Sequence, residues 1–97
     1  MAEAELQVEW DEAKAVGTLL KHGVSFLTAA AIFDNEALER IDDREDDGEV
    51  RFIGLGRVEL EVYRVACTWR AEALVRVISA QKAGRHEGEI YYRATHP

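Results

Sequence analysis

The sequence predicts an α+β fold, in which a mostly antiparallel sheet packs with helices. An alternating segment at the start is followed by two short helical patterns. The chain is then β-like from Val50 to Ala80, and its end has a weaker helical pattern. Because sheets and helices must bury their apolar sides against each other, this order favours one domain over residues 1–97.

A first strand is predicted where Leu6, Val8 and Trp10 alternate with polar residues. Asp11 comes directly after it. An aspartate at this position can cap a helix by accepting hydrogen bonds from the first free backbone N–H groups. The first helix should therefore begin just after Asp11.

The first helix has an apolar stripe and a cationic stripe. The apolar stripe, which we expect to pack in the domain, contains Ala13, Val16 and Leu20. At 100° per residue, Lys14 and Lys21 fall about 20° apart on another side, with Thr18 nearby. Such a lysine stripe is typical of a solvated face and also suits a binding face, so the residues alone leave both interpretations open.

Residues 21–26 join the two helical patterns. Gly23 suits the end of the first helix, where a left-handed residue is usually needed. Ser25 suits the N-cap of the second helix. Lys21 and His22 then lie in the last turn of the first helix, where cationic side chains interact favourably with the helix dipole. The second helix should pack through one apolar stripe, made of Phe26, Ala29, Ala30 and Phe33.

An acidic segment separates the helical half from the β-like half. Asp34 and Asn35 should end the second helix, and Leu38 and Ile41 suggest a weak strand. Residues 42–49 contribute six negative charges and one positive charge, and we expect them to form a solvated loop.

The β-like half should form several strands. From Val50 one face carries Phe52, Gly54 and Gly56, and the other carries Arg51, Ile53, Leu55 and Arg57. The alternation continues through residues 58–62 and 65–69, and residues 70–73 are a plausible hairpin connection. The last strand, residues 74–80, is apolar on both faces, as expected of a central strand.

Two residues of the C-terminal part are of special interest. Arg76 lies within the otherwise apolar last strand, so it is either a structural arginine with a carboxylate partner or a functional one. Tyr91 belongs to a short helix predicted within residues 81–93, which Gly84 and Gly88 each weaken by about 1 kcal/mol. We expect Tyr91 to be a packing residue unless it reaches a site beside Arg76.

Composition excludes several classes of protein. The net charge of −7 argues against general nucleic-acid binding, although a small basic patch remains compatible with it. No apolar run approaches the roughly 20 residues of a membrane helix, and the acidic N-terminus lacks a signal-peptide pattern. The single cysteine, Cys67, has no clustered Cys or His for a zinc site. We therefore expect a cytoplasmic protein with no metal.

Several stretches match, in order, the pattern of one known family. Residues 21–26 read Lys-His-Gly-Val-Ser-Phe, and all six match that pattern. The other matching positions are residues 8–15, 33–34, 51–57 and 76–80, followed by Ala83, Glu87 and Tyr91. In these residues the chain resembles the BrnT family, toxins of type II toxin–antitoxin modules that are related in fold to RelE-type ribonucleases.

The resemblance implies a fold, an activity and partners. The fold would be RelE-like. The activity would be metal-independent RNA cleavage that inhibits translation, with no cofactor. A BrnA-like antitoxin would neutralise the toxin by covering its basic face, and a heterotetramer of toxin and antitoxin is one candidate assembly.

Metal-independent RNA cleavage needs a general base, a general acid and cations around the reacting phosphate. Histidine suits proton transfer near neutrality, which makes His22 a candidate catalytic residue. Arg57, Arg76 and Tyr91 are the other catalytic candidates, with tyrosine able to stack on a base or relay a proton. Lys14 and Lys21 are candidates for substrate binding. The resemblance implies that the face carrying these basic residues is the active surface.

The chain also departs from the family pattern. Thr18 stands where we expect asparagine, Leu20 where arginine is frequent, and Gln81 where arginine is common. Fewer cations weaken substrate binding and transition-state stabilisation together. The alternative function is therefore a catalytically weak or inactive RelE-like domain that binds a protein partner, and a third is an unrelated small α+β domain.

Overall fold

The computed structural model describes residues 5–46 and 49–96. Within these residues the chain forms five strands and three α-helices around one sheet. The first half contains β1 (Gln7–Trp10), α1 (Glu12–His22), α2 (Phe26–Ala30), a 3₁₀ turn (Ala31–Asp34) and β2 (Ala37–Asp46). The second half contains β3 (Glu49–Val58), β4 (Glu61–Ala71), β5 (Leu74–Lys82) and α3 (Arg85–Thr95).

The sheet has the strand order β1-β5-β4-β3-β2. Only the pair of β1 with β5 is parallel, and the three other pairs are antiparallel. This confirms the predicted α+β class with a mostly antiparallel sheet. It also confirms that the apolar last strand lies inside the sheet, because β5 has a hydrogen-bonded neighbour on each side.

The core lies between the sheet and the segment that contains α2 and the 3₁₀ turn. Phe26 is buried there and meets Trp10 edge to face, with ring centroids 6.0 Å apart. Gly56 lets the turn approach β3, since a Cβ at this position would lie 2.5 Å from the Cβ of Ile32. The buried cluster consists of Val24, Phe26, Ala29, Ile32, Val65, Val77 and Ala80.

The prediction for the packing side of α1 is wrong. Val16 and Leu20 are exposed, and so is Ala13, whereas Thr18 is buried and Ala15 is half-buried. Alanine and threonine are small, so they let α1 approach β5 closely with that side inward. The larger apolar side chains therefore point away from the sheet, although the α2 half of the predicted stripe does pack in the core.

The acidic segment is not the predicted loop. Its residues up to Asp46 belong to β2, and Glu49 begins β3, so most of the segment forms a hairpin, while residues 47–48 lie outside the described part. Asp42 pairs with Arg51 and Asp46 with Glu49, so cross-strand pairing with β3 keeps this polar stretch in the sheet despite its low β-propensity, with an irregular register between the two pairs.

Two other boundaries differ from the prediction. The alternation through residues 58–62 is broken by a two-residue turn, where Val58 pairs with Glu61 and Glu59 has φ 56°. The C-terminal helix begins at Arg85, because Gln81 and Lys82 still pair with β4. In both places strand pairing decided the boundary, which the hydrophobic pattern alone does not define.

Among the described residues, no single helix is long and apolar enough to cross a membrane. Together, α1 and the following segment 26–34 are long and apolar enough, but the axes of these two segments are bent by 99° relative to each other.

Candidate functional site

An open groove runs between α1 and β5, with a volume of about 390 Å³. We call it the α1 groove. Its helical side carries both lysines of the cationic stripe and the histidine that follows, and its floor comes from β5. The lining residues are Lys14, Gly17, Thr18, Lys21, His22, Ile78 and Ser79.

The helix that forms one wall of this groove is capped at both ends. The carboxylate of Asp11 accepts hydrogen bonds from the backbone N–H of Ala13 at 2.8 Å and of Lys14 at 3.3 Å. Gly23 ends the helix with φ 71°, and its N–H donates to the carbonyl of Leu19 at 2.9 Å. Both predicted caps are confirmed. They define the start and end of α1, and the packing of α1 on β5, with Thr18 buried, places the lysine stripe beside the groove.

The lysines of the α1 groove keep their charges available. Lys14, Lys21 and His22 are exposed, and none of the three forms an ion pair with any residue in the described part of the chain. Thr18 is buried beneath them, and Gly17 leaves open space where a side chain would otherwise stand. The groove thus presents two ammonium groups and an imidazole to an anionic ligand.

Ser79 reaches the groove because β5 contains a bulge. Ala66 pairs with Ser79 while Cys67 pairs with Val77, so Ile78 is an extra residue on β5. Without the bulge, alternation would put Ser79 on the core face with Val77. The sequence pattern carried no signal for this shift, and for that reason Ile78 and Ser79 were not among the predicted site residues.

Arg76 lies two residues before Ile78 on β5, and its charge has a partner. Its Nη1 is 3.6 Å from Oε1 of Glu9 on the neighbouring β1, and Nε of Arg70 is 3.9 Å from the same oxygen. All three side chains are partly exposed. The carboxylate partner expected of a structural arginine is therefore present, but in a solvated setting where an ion pair is weak.

The strand register places five arginines on one face of the sheet. Arg76 lies opposite Thr68, Arg64 opposite Leu55, and the alternation along each strand carries the same face across to β2. We call it the arginine face, with Arg40, Arg51, Arg57, Arg64 and Arg76. The opposite face is apolar and is covered by α2, whereas the arginine face carries the cations together with a smaller apolar area on which α3 packs.

The remaining two predicted residues lie away from the α1 groove. Arg57 is near the end of β3, and its carbonyl accepts a hydrogen bond from Nδ2 of Asn35 at 3.2 Å. Tyr91 is buried, and its hydroxyl donates to the carbonyl of Glu36 at 2.8 Å. This tyrosine joins α3 to the chain before β2, which is the packing role predicted for it.

A second cleft of about 500 Å³ lies on the arginine face beneath α3. Its lining is mostly apolar, with Leu38, Ile53, Leu55 and Ile90. Arg64 closes one side through an ion pair with Glu87, with Nε and Oε2 2.9 Å apart. The second cleft also has a cation and an imidazole, Arg40 and His86, but two acidic residues, Glu39 and Glu87, share its lining. Among the described residues that line the α1 groove there is no carboxylate, so we consider it the better candidate for binding and cleaving a polyanion.

Neither a metal cluster nor a reactive thiol accompanies the groove. Among the described residues, no three His, Cys, Asp or Glu side chains converge as metal ligands. Cys67 is buried in the sheet, and burial together with the charge of Glu39 raises the pKa of its thiol to about 12. It is therefore protonated at neutral pH and unsuited to act as a nucleophile.

Comparison with known proteins identifies the family to which the chain belongs. The family model described as "Ribonuclease toxin, BrnT, of type II toxin-antitoxin system" matches residues 10–87. The chain belongs to the BrnT family. This match includes the α1 groove and β5, and it excludes the unrelated α+β domain considered above. Membership of a type II toxin–antitoxin family implies an antitoxin partner and an RNA target.

The fold of BrnT family members is seen in the crystal structure of the ribonuclease toxin BrnT from Brucella abortus, determined at 1.1 Å resolution. The two chains share 20% sequence identity, with a TM-score of 0.60. The likeness covers 82% of this chain and 99% of the Brucella chain. No curated protein matches the sequence significantly.

Proposed function

We propose that this BrnT family member is a metal-independent endoribonuclease that binds and cleaves RNA at the α1 groove. The observation that carries the proposal is the convergence of two lysines without ion-pair partners in the described chain and one exposed histidine on a single side of α1. In the cytoplasm the enzyme would inhibit translation, and a BrnA-like antitoxin would neutralise it, with a heterotetramer as the assembly to test.

The chemistry needs only side chains and the RNA itself. The 2′-oxygen of one nucleotide forms a bond to the adjacent phosphorus, and the bond from phosphorus to the 5′-oxygen breaks. One proton leaves the 2′-hydroxyl, and another reaches the departing 5′-oxygen. His22 would transfer one of these protons, while Lys14 and Lys21 would neutralise the charge that develops on the phosphate.

Neighbouring polar groups support the same assignment. Ser79 brings a hydroxyl to the floor of the groove, and Arg76 lies three residues earlier on the same strand. Arg57 and the rest of the arginine face would extend the positive surface along a bound strand. Because phosphate contacts release counterions, RNA binding should weaken steeply as salt is added.

One set of observations favours the alternative function, a catalytically weak or inactive domain that binds a protein partner. Arg76 contacts Glu9, and Tyr91 is buried with its hydroxyl engaged. Two of the four residues predicted to be catalytic therefore have structural contacts. A domain of this kind would keep the fold and the antitoxin surface but would cleave RNA slowly or not at all.

RNA cleavage by the purified chain in the presence of a chelator tests the proposal. We expect cleavage products with 2′,3′-cyclic phosphate ends, and a loss of roughly 10²–10⁴ in rate for His22→Gln if it transfers a proton. His86→Gln is the matched control, since His86 is also exposed but lies on α3 and lines the second cleft. Expression of the wild-type chain alone should arrest growth.

Two results would contradict the proposal. A folded wild-type chain that cleaves no RNA and arrests no growth would favour the interaction domain. Full activity in the His22→Gln variant, with its fold confirmed by circular dichroism, would show that the chain is a ribonuclease whose catalytic site does not include His22.

A further inference from the structure

Another cleft opens beside the 3₁₀ turn, on the face of the sheet opposite the arginine face. Its volume is about 420 Å³. A Cβ at Gly54 would have Cδ1 of Ile32 and Cγ of Glu39 within 4.0 Å, so the side chain of Glu39 shares this face with the turn. We call this cleft the Trp69 pocket, and its lining residues are Glu39, Phe52, Trp69, Arg70, Ala71 and Glu72.

An indole ring and a carboxylate are held side by side in the Trp69 pocket. The indole N–H of Trp69 donates to Oε1 of Glu39 at 3.3 Å. Phe33 of the 3₁₀ turn meets the same indole edge to face, with ring centroids 6.1 Å apart. An aromatic face attracts a cation through its quadrupole, and an adjacent carboxylate attracts the cation through its charge. Phe52 adds a second aromatic ring to this arrangement.

The carboxylates of the Trp69 pocket are available to a ligand. Glu39 and Glu72 are exposed, and neither forms an ion pair with a residue in the described part of the chain. Arg70 is the cation in the lining, and its Nε is 3.9 Å from Oε1 of Glu9 on β1, so its charge already has a partner. The pocket therefore has an excess of negative charge next to its aromatic rings.

The acidic segment continues from the border of the Trp69 pocket. Phe52 pairs with Ile41, and the next pair along the hairpin is Asp42 with Arg51. Residues 42–49 carry six negative charges and one positive charge. A small free cation would use only the pocket, whereas a chain with several cations would also be attracted by this segment and by the net charge of −7.

We propose that the Trp69 pocket binds an arginine or lysine side chain from a basic segment of a protein partner. A polyanion such as RNA is the wrong ligand for it, because its unpaired carboxylates repel phosphate. The pocket involves β2, β3 and β4, whereas the floor of the α1 groove lies on β5. The partner would therefore leave the α1 groove open, and the proposal does not depend on the ribonuclease function.

Calorimetry with a short basic peptide tests the pocket. The probe is Gly-Arg-Gly-Arg-Gly, blocked at both ends, and we expect it to bind the wild-type chain. Glu39→Gln should raise the Kd roughly three- to tenfold, because it removes the charge beside the indole. Glu12→Gln is the matched control, since Glu12 is also exposed and also accepts from an indole N–H, that of Trp10 at 3.0 Å, but lies on α1. This control should leave the Kd near that of the wild type.

Tryptophan fluorescence locates the bound peptide. The chain has two tryptophans, so Trp10→Phe leaves Trp69 as the reporter and keeps an aromatic ring against Phe26. The emission of Trp69 should change with the arginine peptide. It should not change with a peptide in which citrulline, a neutral analogue of similar shape, replaces each arginine. Blocked single arginine should bind more weakly than the peptide, because it carries no second charge for the acidic segment.

Four results would overturn the proposal. The first is no binding of the arginine peptide to the wild-type chain up to millimolar concentration. The second is an equal Kd for the Glu39→Gln and Glu12→Gln variants, which would indicate a non-specific attraction of charges. The third is unchanged Trp69 emission while calorimetry detects binding, since the peptide would then lie elsewhere. The fourth is equal affinity for blocked single arginine and for the peptide, which would indicate a site for a small free cation.

Discussion

Arg76 differs from the lysines of the α1 groove in that its guanidinium already contacts a carboxylate. The contact with Glu9 is 3.6 Å long and partly exposed. Exposed ion pairs contribute about 0.2–1 kcal/mol, because water screens the charges. The partner therefore orients Arg76 without making it essential for folding, and the residue remains available for a phosphate.

Arg76→Ala separates these roles. We expect a loss of stability of about 1 kcal/mol or less in thermal unfolding, since the lost ion pair is half-exposed. If Arg76 contacts the reacting phosphate, the rate of RNA cleavage should fall by about 10²–10³. Arg70→Ala is the control, because Arg70 contacts the same carboxylate from another strand. Equal losses of activity in both variants would mean that Arg76 affects cleavage by positioning Glu9 and not by contacting the phosphate.

At the scale of elements, the approach of the 3₁₀ turn to β3 depends on Gly56. Gly54 and Gly56 both lie on the apolar face, but a Cβ at Gly54 would be 3.4 Å from Cδ1 of Ile32, which is an ordinary contact. The contact at Gly56 is the tighter one, because the Ile32 Cβ would be 2.5 Å away. This close approach is what lets a short helical segment cover the centre of the sheet.

Gly56→Ala tests that packing. The added methyl group would force the 3₁₀ turn away from β3, and overpacking of this kind typically costs about 1–3 kcal/mol. The same change at Gly88 meets nothing within 4 Å and removes a helix-weakening residue, so it should stabilise α3 by up to about 1 kcal/mol. Urea unfolding measures both. A Gly56→Ala variant as stable as the wild type would contradict the packing described here.

At the scale of the whole molecule, stability should fall in alkaline solution. Burial and the nearby Glu39 raise the pKa of Cys67 to about 12, whereas an unfolded cysteine titrates near 8.5. Between these values the unfolded chain releases a proton that the folded chain keeps. Fewer protons are then bound in the unfolded state, so the free energy of unfolding decreases as pH rises.

Urea unfolding at pH 8 and pH 10 checks this linkage. The wild type should lose up to about 1.4 kcal/mol per pH unit within the window, in addition to the effect of other groups. Cys67→Ala lacks the thiol and should show a smaller loss over the same interval. An equal pH dependence of the two proteins would show that Cys67 ionises normally in the folded state.

The sequence by itself determined the local features of this protein. Asp11, Gly23 and Ser25 were identified as caps because capping depends on nearby backbone groups, and all three cap as predicted. The α+β class and the interior position of β5 followed from hydrophobic patterns. The family was also visible in the sequence, since residues 21–26 carry six matching positions within the matched range.

Only the tertiary structure decided which sides of these elements meet. The pattern of α1 could not show that its small residues face β5 while Leu20 points outward. Helical periodicity shows which residues share a side of the helix, but not which element that side contacts. The bulge at Ile78 and the contact of Arg76 with Glu9 depend on pairing between distant segments. The helical side of the α1 groove was visible in the local pattern, whereas its floor, Ile78 and Ser79, followed from long-range register, which no local pattern encodes.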